Sequence, residues 1–344
     1  MIRQTLVIAL LWMILGTVVH AAGHVVVGQG DTLARIAAAT GTTVDALLAQ
    51  NGLEPGAEPV VGTILSLPDD VGGEERPALV LSLSGEGTLT PLGGQTVPLQ
   101  AGAALPKGTV VCTAADSFAS VRLALSSSRG VHDDVSLLPR TCITLQSATS
   151  RNGRRASLIR LQQGSVNVPA NSGSDEPGVV TIQTRAGVTT APRGGFRVHV
   201  EPDAARTEAL ETALSVIGAG VEQQVGAGQG SRTRVGEAPG PVVALLVAGP
   251  LLQPKKGAVL RRPDFGWRAD ADALEYQLEL SSSRDFRALV RLEVVGHPVW
   301  EPDRLLLPYR VHTLWWRVSP VDRLGFVGMP AGSRVVELPP GMGP

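Results

Sequence analysis

Aromatic residues, cysteine and an excess of charge of either sign are what this 344-residue sequence lacks. Phe, Trp and Tyr make up 3% of the chain, so most of its 43% hydrophobic residues are aliphatic. The β-branched members of that group favour sheets, which predicts a mainly β protein, and the length predicts two or three domains. A net charge of -1 offers no attraction to nucleic acid or to an anionic membrane surface, so we expect no nucleic-acid partner.

Long apolar runs are also missing. The longest lies at 6–19 and is shorter than the ~20 residues that span a bilayer. It follows Arg3 and precedes Val19-His20-Ala21, whose small residues suit a cleavage site. The sequence therefore predicts a signal peptide over 1–22, export to the periplasm or cell envelope, and no stable membrane span after cleavage. An uncleaved anchor is the alternative.

The chain has only two cysteines, Cys112 and Cys142. An even number in an oxidising compartment favours a disulfide, and we predict that the two are bonded to each other. Buried free thiols are the alternative. A metal site is not expected, because no histidine lies within a few residues of either cysteine.

Motifs for catalysis or metal binding are absent from the sequence. The six histidines are scattered, and there is no phosphate loop, nucleophile elbow or paired-carboxylate motif. His132-Asp133-Asp134 is the only dense polar cluster, and we predict that it is a solvated turn. Arg151, Arg154 and Arg155 around Asn152-Gly153 predict a basic hairpin tip, which contacts an acidic partner or stays solvated. We predict no catalytic residue, no metal and no cofactor.

A short unit at 24–68 has apolar segments at both ends and two helix-like segments between them. The first helix-like segment has apolar residues at helical spacing and stops at Gly41, and the second begins at Thr42 or Thr43 and stops at Gly52. This order predicts strand, helix, helix, strand. The pattern consists of Val25-Val26-Val27, Gly30-Asp31-Thr32-Leu33, Ile36-Ala37, Val44, Leu47-Leu48, Asn51-Gly52, Gly62 and Leu65-Ser66-Leu67-Pro68.

On those residues, 24–68 resembles a LysM module, a family that binds N-acetylglucosamine polymers. The resemblance implies peptidoglycan as a partner and a shallow groove between the loop before the first helix and the loop after the second. In such a groove, glycines let the backbone approach the sugar, and Leu33 and Leu53 could receive the acetamido methyl. Alternatively, Asp31 or Thr32 caps the helix and Leu33 packs inward. The implied glycan-binding residues are Gly30, Asp31, Thr32, Leu33, Asn51, Gly52, Leu53, Val61 and Gly62.

After a polar, Gly- and Pro-bearing stretch at 69–78, which predicts a linker, many short alternating segments predict a β-rich domain at 79–240. Only 204–217 is predicted to be helical. The segments 108–117, 158–168, 182–184, 187–188, 193–198 and 225–230 resemble a FecR-type domain. The resemblance implies a periplasmic domain that binds an envelope protein. The family's membrane helix and cytoplasmic tail are not found, so its signalling role is not implied here.

The remaining segment, 241–340, contains alternating strand-like stretches with Trp267, Trp315 and Trp316. On these residues it is similar to a fibronectin type III-like β-sandwich, in which we expect the tryptophans to be core residues. Pro239-Gly240-Pro241 has the composition of a boundary, and we expect the first two units to fold without 241–344.

These observations predict a mainly β, multidomain, non-catalytic cell-envelope protein. It would bind peptidoglycan through the LysM-like module and present the other two domains to an envelope protein partner. A peptidoglycan hydrolase and a periplasmic signal-sensing regulator are the alternatives.

Overall fold

The computed structural model describes residues 23–72, 74–125, 132–151, 154–169, 178–192, 194–303, 305, 307 and 311–339. Strands dominate these residues and are arranged in several sheets, which confirms the predicted mainly β, multidomain architecture. The predicted signal peptide, 1–22, lies outside the described residues. Within the part of the chain that is described, no helix is long and apolar enough to cross a bilayer.

The N-terminal module has the predicted order of elements. It consists of β1 (His24–Val26), α1 (Leu33–Thr40), α2 (Val44–Asn51) and β2 (Ile64–Ser66), with β1 and β2 antiparallel. Both helices begin at a threonine whose side chain accepts from a backbone N–H, Thr32 from Arg35 and Thr43 from Ala46, and both end at a glycine with positive φ. One face of the strand pair packs with the helices in the core. That core consists of Val25, Val27, Leu33, Ile36, Ala37, Leu47, Leu48, Leu65 and Leu67.

The segment predicted as a linker contains regular structure. It holds α3 (Asp69–Gly72) and β3 (Glu74–Glu75). The latter pairs with Thr149 and Ser150 of the following domain, because an unpaired strand edge there offers hydrogen-bond partners to the passing chain.

The middle domain is built from two sheets that share one long strand, β12, whose first half pairs in one sheet and second half in the other. Aliphatic side chains from both sheets form one core, including Ile159 and Val166. The strands are β4 (Ala78–Ser84), β5 (Gly87–Thr90), β6 (Val97–Pro98), β7 (Ala104–Leu105), β8 (Val110–Thr113), β9 (Phe118–Leu125), β10 (His132–Leu137), β11 (Cys142–Arg151), β12 (Arg154–Val168), β13 (Gly178–Gln183), β14 (Val188–Ala191), β15 (Phe196–Val200), β16 (Ala204–Ala209), β17 (Leu214–Gly218), β18 (Val221–Val225), β19 (Gln229–Arg234) and β20 (Val243–Ala244).

Cys112 and Cys142 are bonded, as predicted. They are direct partners on the antiparallel strands β8 and β11, with their Cα atoms 4.2 Å apart. This separation is close enough for a disulfide to bridge them. The covalent link therefore ties together two neighbouring strands of the middle domain.

The predicted helix at 204–217 is wrong. The segment forms β16 and β17, which pair with different neighbours, β16 with β15 and β19 and β17 with β14 and β18. Its alanine and glutamate residues favour a helix locally, but helix propensity is worth less than 1 kcal/mol per residue. The pairing with neighbouring strands on both sides therefore overrides it.

The predicted solvated turn at His132-Asp133-Asp134 is also wrong, because these residues lie on β10 and both carboxylates are buried. Asp133 pairs with Arg155, whose Nε lies 3.3 Å from its Oδ2. Asp134 pairs with Arg122 of β9 and Arg287 of the C-terminal domain, each at 3.0 Å. Arg155 is thus a buried ion-pair partner and not part of a basic tip, and Asn152-Gly153 lies outside the described residues.

The C-terminal domain contains a three-stranded and a four-stranded sheet around a common core. Trp267 and Trp316 are buried in it, as expected of core tryptophans, whereas Trp300 and Trp315 are half-buried. The fibronectin type III-like assignment stays a prediction. The strands are β21 (Leu251–Gln253), β22 (Phe265–Trp267), β23 (Glu275–Ser281), β24 (Leu289–Val295), β25 (Val299–Trp300), β26 (Thr313–Val321) and β27 (Arg334–Glu337).

The middle and C-terminal domains share a buried polar interface. Arg197 donates through Nη1 to the carbonyls of Val327 at 2.9 Å and Gly328 at 3.1 Å, and the Val327 N–H donates to Glu208 at 3.2 Å. Glu279, completely buried, pairs with Arg317. The middle domain extends past the boundary predicted at 240, because β20 (Val243–Ala244) pairs with β19 of that domain.

Candidate functional site

The structure brings the predicted glycan-binding residues to opposite ends of the β1–β2 pair. At one end, the Gly62 N–H donates to the Val27 carbonyl at 2.8 Å, which places Val61-Gly62 beside the loop 28–32. At the other end, Asn51 hydrogen-bonds to both backbone groups of Ser66. Only the first end joins two predicted loops, so it is the candidate groove.

Asp31 and Leu33 support the loop 28–32 from inside. The Asp31 carboxylate accepts from the Gly28 N–H at 2.8 Å and pairs with Arg35, and its side chain is only 4% exposed. Leu33 is 7% exposed and belongs to the core of the module, so its side chain cannot receive a methyl group from a sugar. The side chains of these two residues therefore hold the loop in shape, and only the backbone groups of the loop are available to bind a sugar.

Gly30 and Thr32 present that backbone to solvent. Both residues are exposed, and their N–H groups have no hydrogen-bond partner among the described residues. Gly30 has a φ of 78°, and a side chain there would meet nothing within 4 Å. Free N–H donors in an open loop can bind the carbonyl oxygen of an acetamido group without any charge.

The middle domain covers the other side of this groove. A side chain at Gly62 would lie 2.8 Å from Cγ2 of Ile217, so the backbone at Gly62 faces protein and not open solvent. Glu222 of β18 accepts from the Gln29 N–H at 3.0 Å and from the Ser215 hydroxyl at 2.7 Å. The groove is therefore bounded by the module on one side and by β17 and β18 on the other.

Asn51, Gly52 and Leu53 have structural roles at the far end of β2. The Asn51 amide donates to the carbonyls of Leu47 at 2.8 Å and Ser66 at 2.9 Å and accepts from the Ser66 N–H at 2.7 Å. Gly52 caps α2, and Leu53 packs against the core of the module. The side chain of Asn51 is thus already saturated by the protein.

The face of the β1–β2 pair that points away from the helices lies over the middle domain, and a cleft of about 360 Å³ lies between the two. His24, on this face, is 2% exposed and its Nε2 lies 3.1 Å from the Thr181 hydroxyl of β13. Burial lowers the pKa of His24 from 6.5 to about 4, so its imidazole is neutral at pH 7. The residues that bury the module's face, Thr181, Ile217 and Glu222, were missed by sequence reasoning because they are far from it in sequence and carry no motif.

No group of three or more His, Cys, Asp or Glu side chains within the described ranges is arranged to hold a metal ion. Of the buried acidic residues described above, Asp133, Asp134 and Glu279 are paired with arginine, and Glu208 accepts from the Val327 N–H. This arrangement supports structure, and no chemistry follows from it.

Comparison with protein families matches residues 25–68 to the LysM domain. The match confirms the resemblance seen in the N-terminal module, whose family binds glycans and is not catalytic. None of the curated proteins compared with the chain matches it. The module and the disulfide together indicate a location outside the cytoplasm, at the cell envelope.

Two crystal structures of a proposed anti-sigma factor from Parabacteroides distasonis are similar to part of the chain. Each is 12% identical, with a TM-score of 0.29, over 39% of this chain and 57% of the other. The chain thus spans little more than half of those structures. A TM-score this low establishes no common fold, and nothing about function follows from it.

Proposed function

We propose that this protein is a non-catalytic component of the periplasm that binds peptidoglycan through residues 24–68. One observation carries the proposal: exposed, unpartnered N–H groups at Gly30 and Thr32 lie beside Val61-Gly62 on a capped, packed module of the LysM type. A signal peptide over 1–22 would export the chain. The middle and C-terminal domains, FecR-like and fibronectin type III-like, would then face other envelope proteins.

The affinity of a single module should be weak. No aromatic residue lies among the predicted glycan-binding residues, so no ring can stack on a sugar. Backbone hydrogen bonds alone give affinities in the millimolar to micromolar range, worth about 4 to 8 kcal/mol.

Sedimentation of the full exported chain with purified peptidoglycan tests the proposal, with Gly30→Asn as the informative variant. Gly30 and Gly41 have φ of 78° and 77°, and a side chain at either position meets nothing within 4 Å, so Gly41→Asn is a matched control at the other end of α1. Asparagine tolerates this backbone conformation and adds a side chain over the loop. We expect Gly30→Asn to reduce the bound fraction several-fold and Gly41→Asn to leave it unchanged.

Two results would contradict the proposal. The intact chain could stay in the supernatant at low salt, or both variants could bind equally well. Release of soluble muropeptides during the incubation would instead favour the hydrolase alternative.

An edge strand of the middle domain supports the proposed protein contact. β6 pairs only with β5 among the described strands, and nearby Leu92 and Val97 are 80% and 46% exposed. β6 is only two residues long and ends at Pro98, which limits strand addition, so the exposed apolar side chains of Leu92 and Val97 are what a partner would contact. A photo-crosslinking residue at position 92 should capture an envelope protein in cells, and the same residue at Leu324, 52% exposed in the C-terminal domain, should not. Equal capture at both positions would refute this contact.

A further inference from the structure

The cleft between the module and the middle domain has two polar walls. The module contributes His24 and Ser66, α3 directly after it contributes Asp69, and the middle domain contributes Gln146, Arg160 and Gln183. Its volume of about 360 Å³ falls within the range of ~300–1,000 Å³ that is typical of small-ligand sites. The cleft does not include the loop 28–32, so it is separate from the candidate groove.

Arg160 is held in a fixed position on its wall. Its Nε donates to Oε1 of Gln183 at 3.2 Å. Gln146, with its amide oriented to satisfy both neighbours, accepts from Nη2 of Arg160 at 3.0 Å and donates to Gln183 at 3.1 Å. The Nη1 of Arg160 has no partner in the described part of the chain, so the guanidinium presents free donors in a fixed orientation.

The two walls carry opposite charges that the protein does not pair. Asp69 on the module wall and Arg160 on the opposite wall are both exposed, and neither forms an ion pair with a described residue. Glu75 and Lys107, which also line the cleft, lie 3.8 Å apart and largely neutralise each other. A ligand with one negative and one positive end would therefore find a partner for each.

Polar atoms in the interior of the cleft also lack partners. His24 is 2% exposed and lines the cleft, and its Nδ1 has no hydrogen bond among the described residues. The Ser147 hydroxyl, on the opposite wall, is shielded from solvent and is likewise without a partner there. Both atoms make the inner wall of the cleft polar.

We propose that this cleft binds a short zwitterionic peptide, with its carboxylate on Arg160 and its ammonium group at Asp69. The peptide N–H and C=O groups between the two ends suit the Gln146 amide, which lies beside Arg160 on the same wall. A neutral sugar would leave both charges unpaired. The peptide substituents of peptidoglycan have this chemistry, and in that respect the inference rests on the proposed glycan binding of the module.

Calorimetric titration of the full exported chain tests the proposal with four probes. They are an N-acetylglucosamine oligomer without peptide, a disaccharide without peptide, the same disaccharide with a short peptide that has a free amine and a free carboxylate, and that peptide alone. We expect the peptide-bearing disaccharide to bind about tenfold more tightly than the disaccharide without peptide. Arg160→Gln and Asp69→Asn should each abolish this gain and leave oligomer binding unchanged, whereas Arg261→Gln, an exposed arginine elsewhere, should preserve it.

Equal affinity with and without the peptide, or an undiminished gain in Arg160→Gln, would overturn the proposal. The two functions are distinguishable. An oligomer that binds while the peptide adds nothing refutes the cleft alone. If the free peptide binds and Arg160→Gln abolishes that binding, the peptide site in the cleft is supported, whether or not the oligomer binds. If the oligomer does not bind, the proposed glycan binding by the module is refuted.

Discussion

Replacing Glu279 with glutamine should greatly destabilise the contact between the middle and C-terminal domains. Glu279 is completely buried on β23 and pairs with Arg317 of β26. It also accepts from Gln277 at 3.4 Å and, across the domain interface, from Asn167 at 3.5 Å. The variant Glu279→Gln keeps the shape of the side chain, removes its charge and replaces one acceptor oxygen with an N–H donor that faces other donors.

The magnitude follows from what the lost charge leaves behind. Arg317 and the fully buried Arg197 both interact electrostatically with Glu279, and without it two cations face each other across the interface. Removing one partner of a buried ion pair costs about 3 to 5 kcal/mol. Arg317 keeps 21% of its side chain exposed, so we expect the lower end, about 3 kcal/mol.

Urea unfolding followed by circular dichroism measures this cost. If the free energy of unfolding falls by about 3 kcal/mol per molar urea, the loss of about 3 kcal/mol should lower the midpoint of the unfolding transition by about 1 M urea. The transition should also separate into two, because the C-terminal domain then unfolds from its own weaker contacts. The control is Glu293→Gln, which removes a partly exposed partner of Arg291 on β24 and should cost less than about 1 kcal/mol.

The double variant with Arg317→Gln distinguishes a true ion pair from a simple loss of packing. If the pair carries the energy, the double variant should be less destabilised than the sum of the single ones, by about 1 to 3 kcal/mol. Strictly additive effects, or a midpoint for Glu279→Gln equal to that of Glu293→Gln, would refute this reasoning.

The same interface should respond to acid. Burial by itself raises the pKa of Glu279, but Arg317 and Arg197 together hold it below its ordinary value of 4.5. The contribution of Glu279 to stability is therefore present above pH 4.5 and is lost as pH falls through the folded-state pKa. Glu279→Gln should remove that part of the acid sensitivity.

Three further predictions concern other parts of the chain. Replacing Cys112 and Cys142 with alanine should lower the free energy of unfolding by about 3 to 4 kcal/mol, because the bond closes a loop with a sequence separation of 30, and an unchanged urea midpoint would contradict this. Burial lowers the pKa of His24 from 6.5 to about 4, so between pH 4 and 6.5 the unfolded chain binds more protons than the folded one. Up to about 3 kcal/mol of the free energy of unfolding should therefore be lost as pH falls from 6.5 to 4. His24→Gln should flatten that slope and His297→Gln, at an exposed site, should not. A chain that ends at residue 248 should have a free energy of unfolding about 2 kcal/mol higher than a chain that ends at 240, because β20 pairs with β19 and Leu245 is buried. Equal melting temperatures for the two chains would show that the middle domain ends at 240.

The N-terminal module shows how far local sequence reaches. Its caps at Thr32 and Thr43, its glycine stops and its apolar spacing act over a few residues, so the order of its elements follows from the sequence of the module itself. The disulfide could be predicted for a related reason, since two cysteines allow one pairing. By contrast, the alanine-rich segment 204–217 forms strands because its neighbours on both sides are strands, and that information is distant in sequence.

The sequence alone thus determined the order of elements in the N-terminal module, the mainly β character of the rest of the chain and the pairing of the two cysteines of the middle domain. Only the tertiary structure decided which predicted site residues are available. It turned Leu33 and Asp31 inward, placed Ile217 and Glu222 against the groove, and buried Asp133 and Asp134 beside arginines. The physical reason is that accessibility and charge pairing depend on residues that different elements bring together, 12 positions apart for Arg122 and Asp134 and 193 for Gln29 and Glu222, whereas helix caps and strand alternation depend on the nearest few.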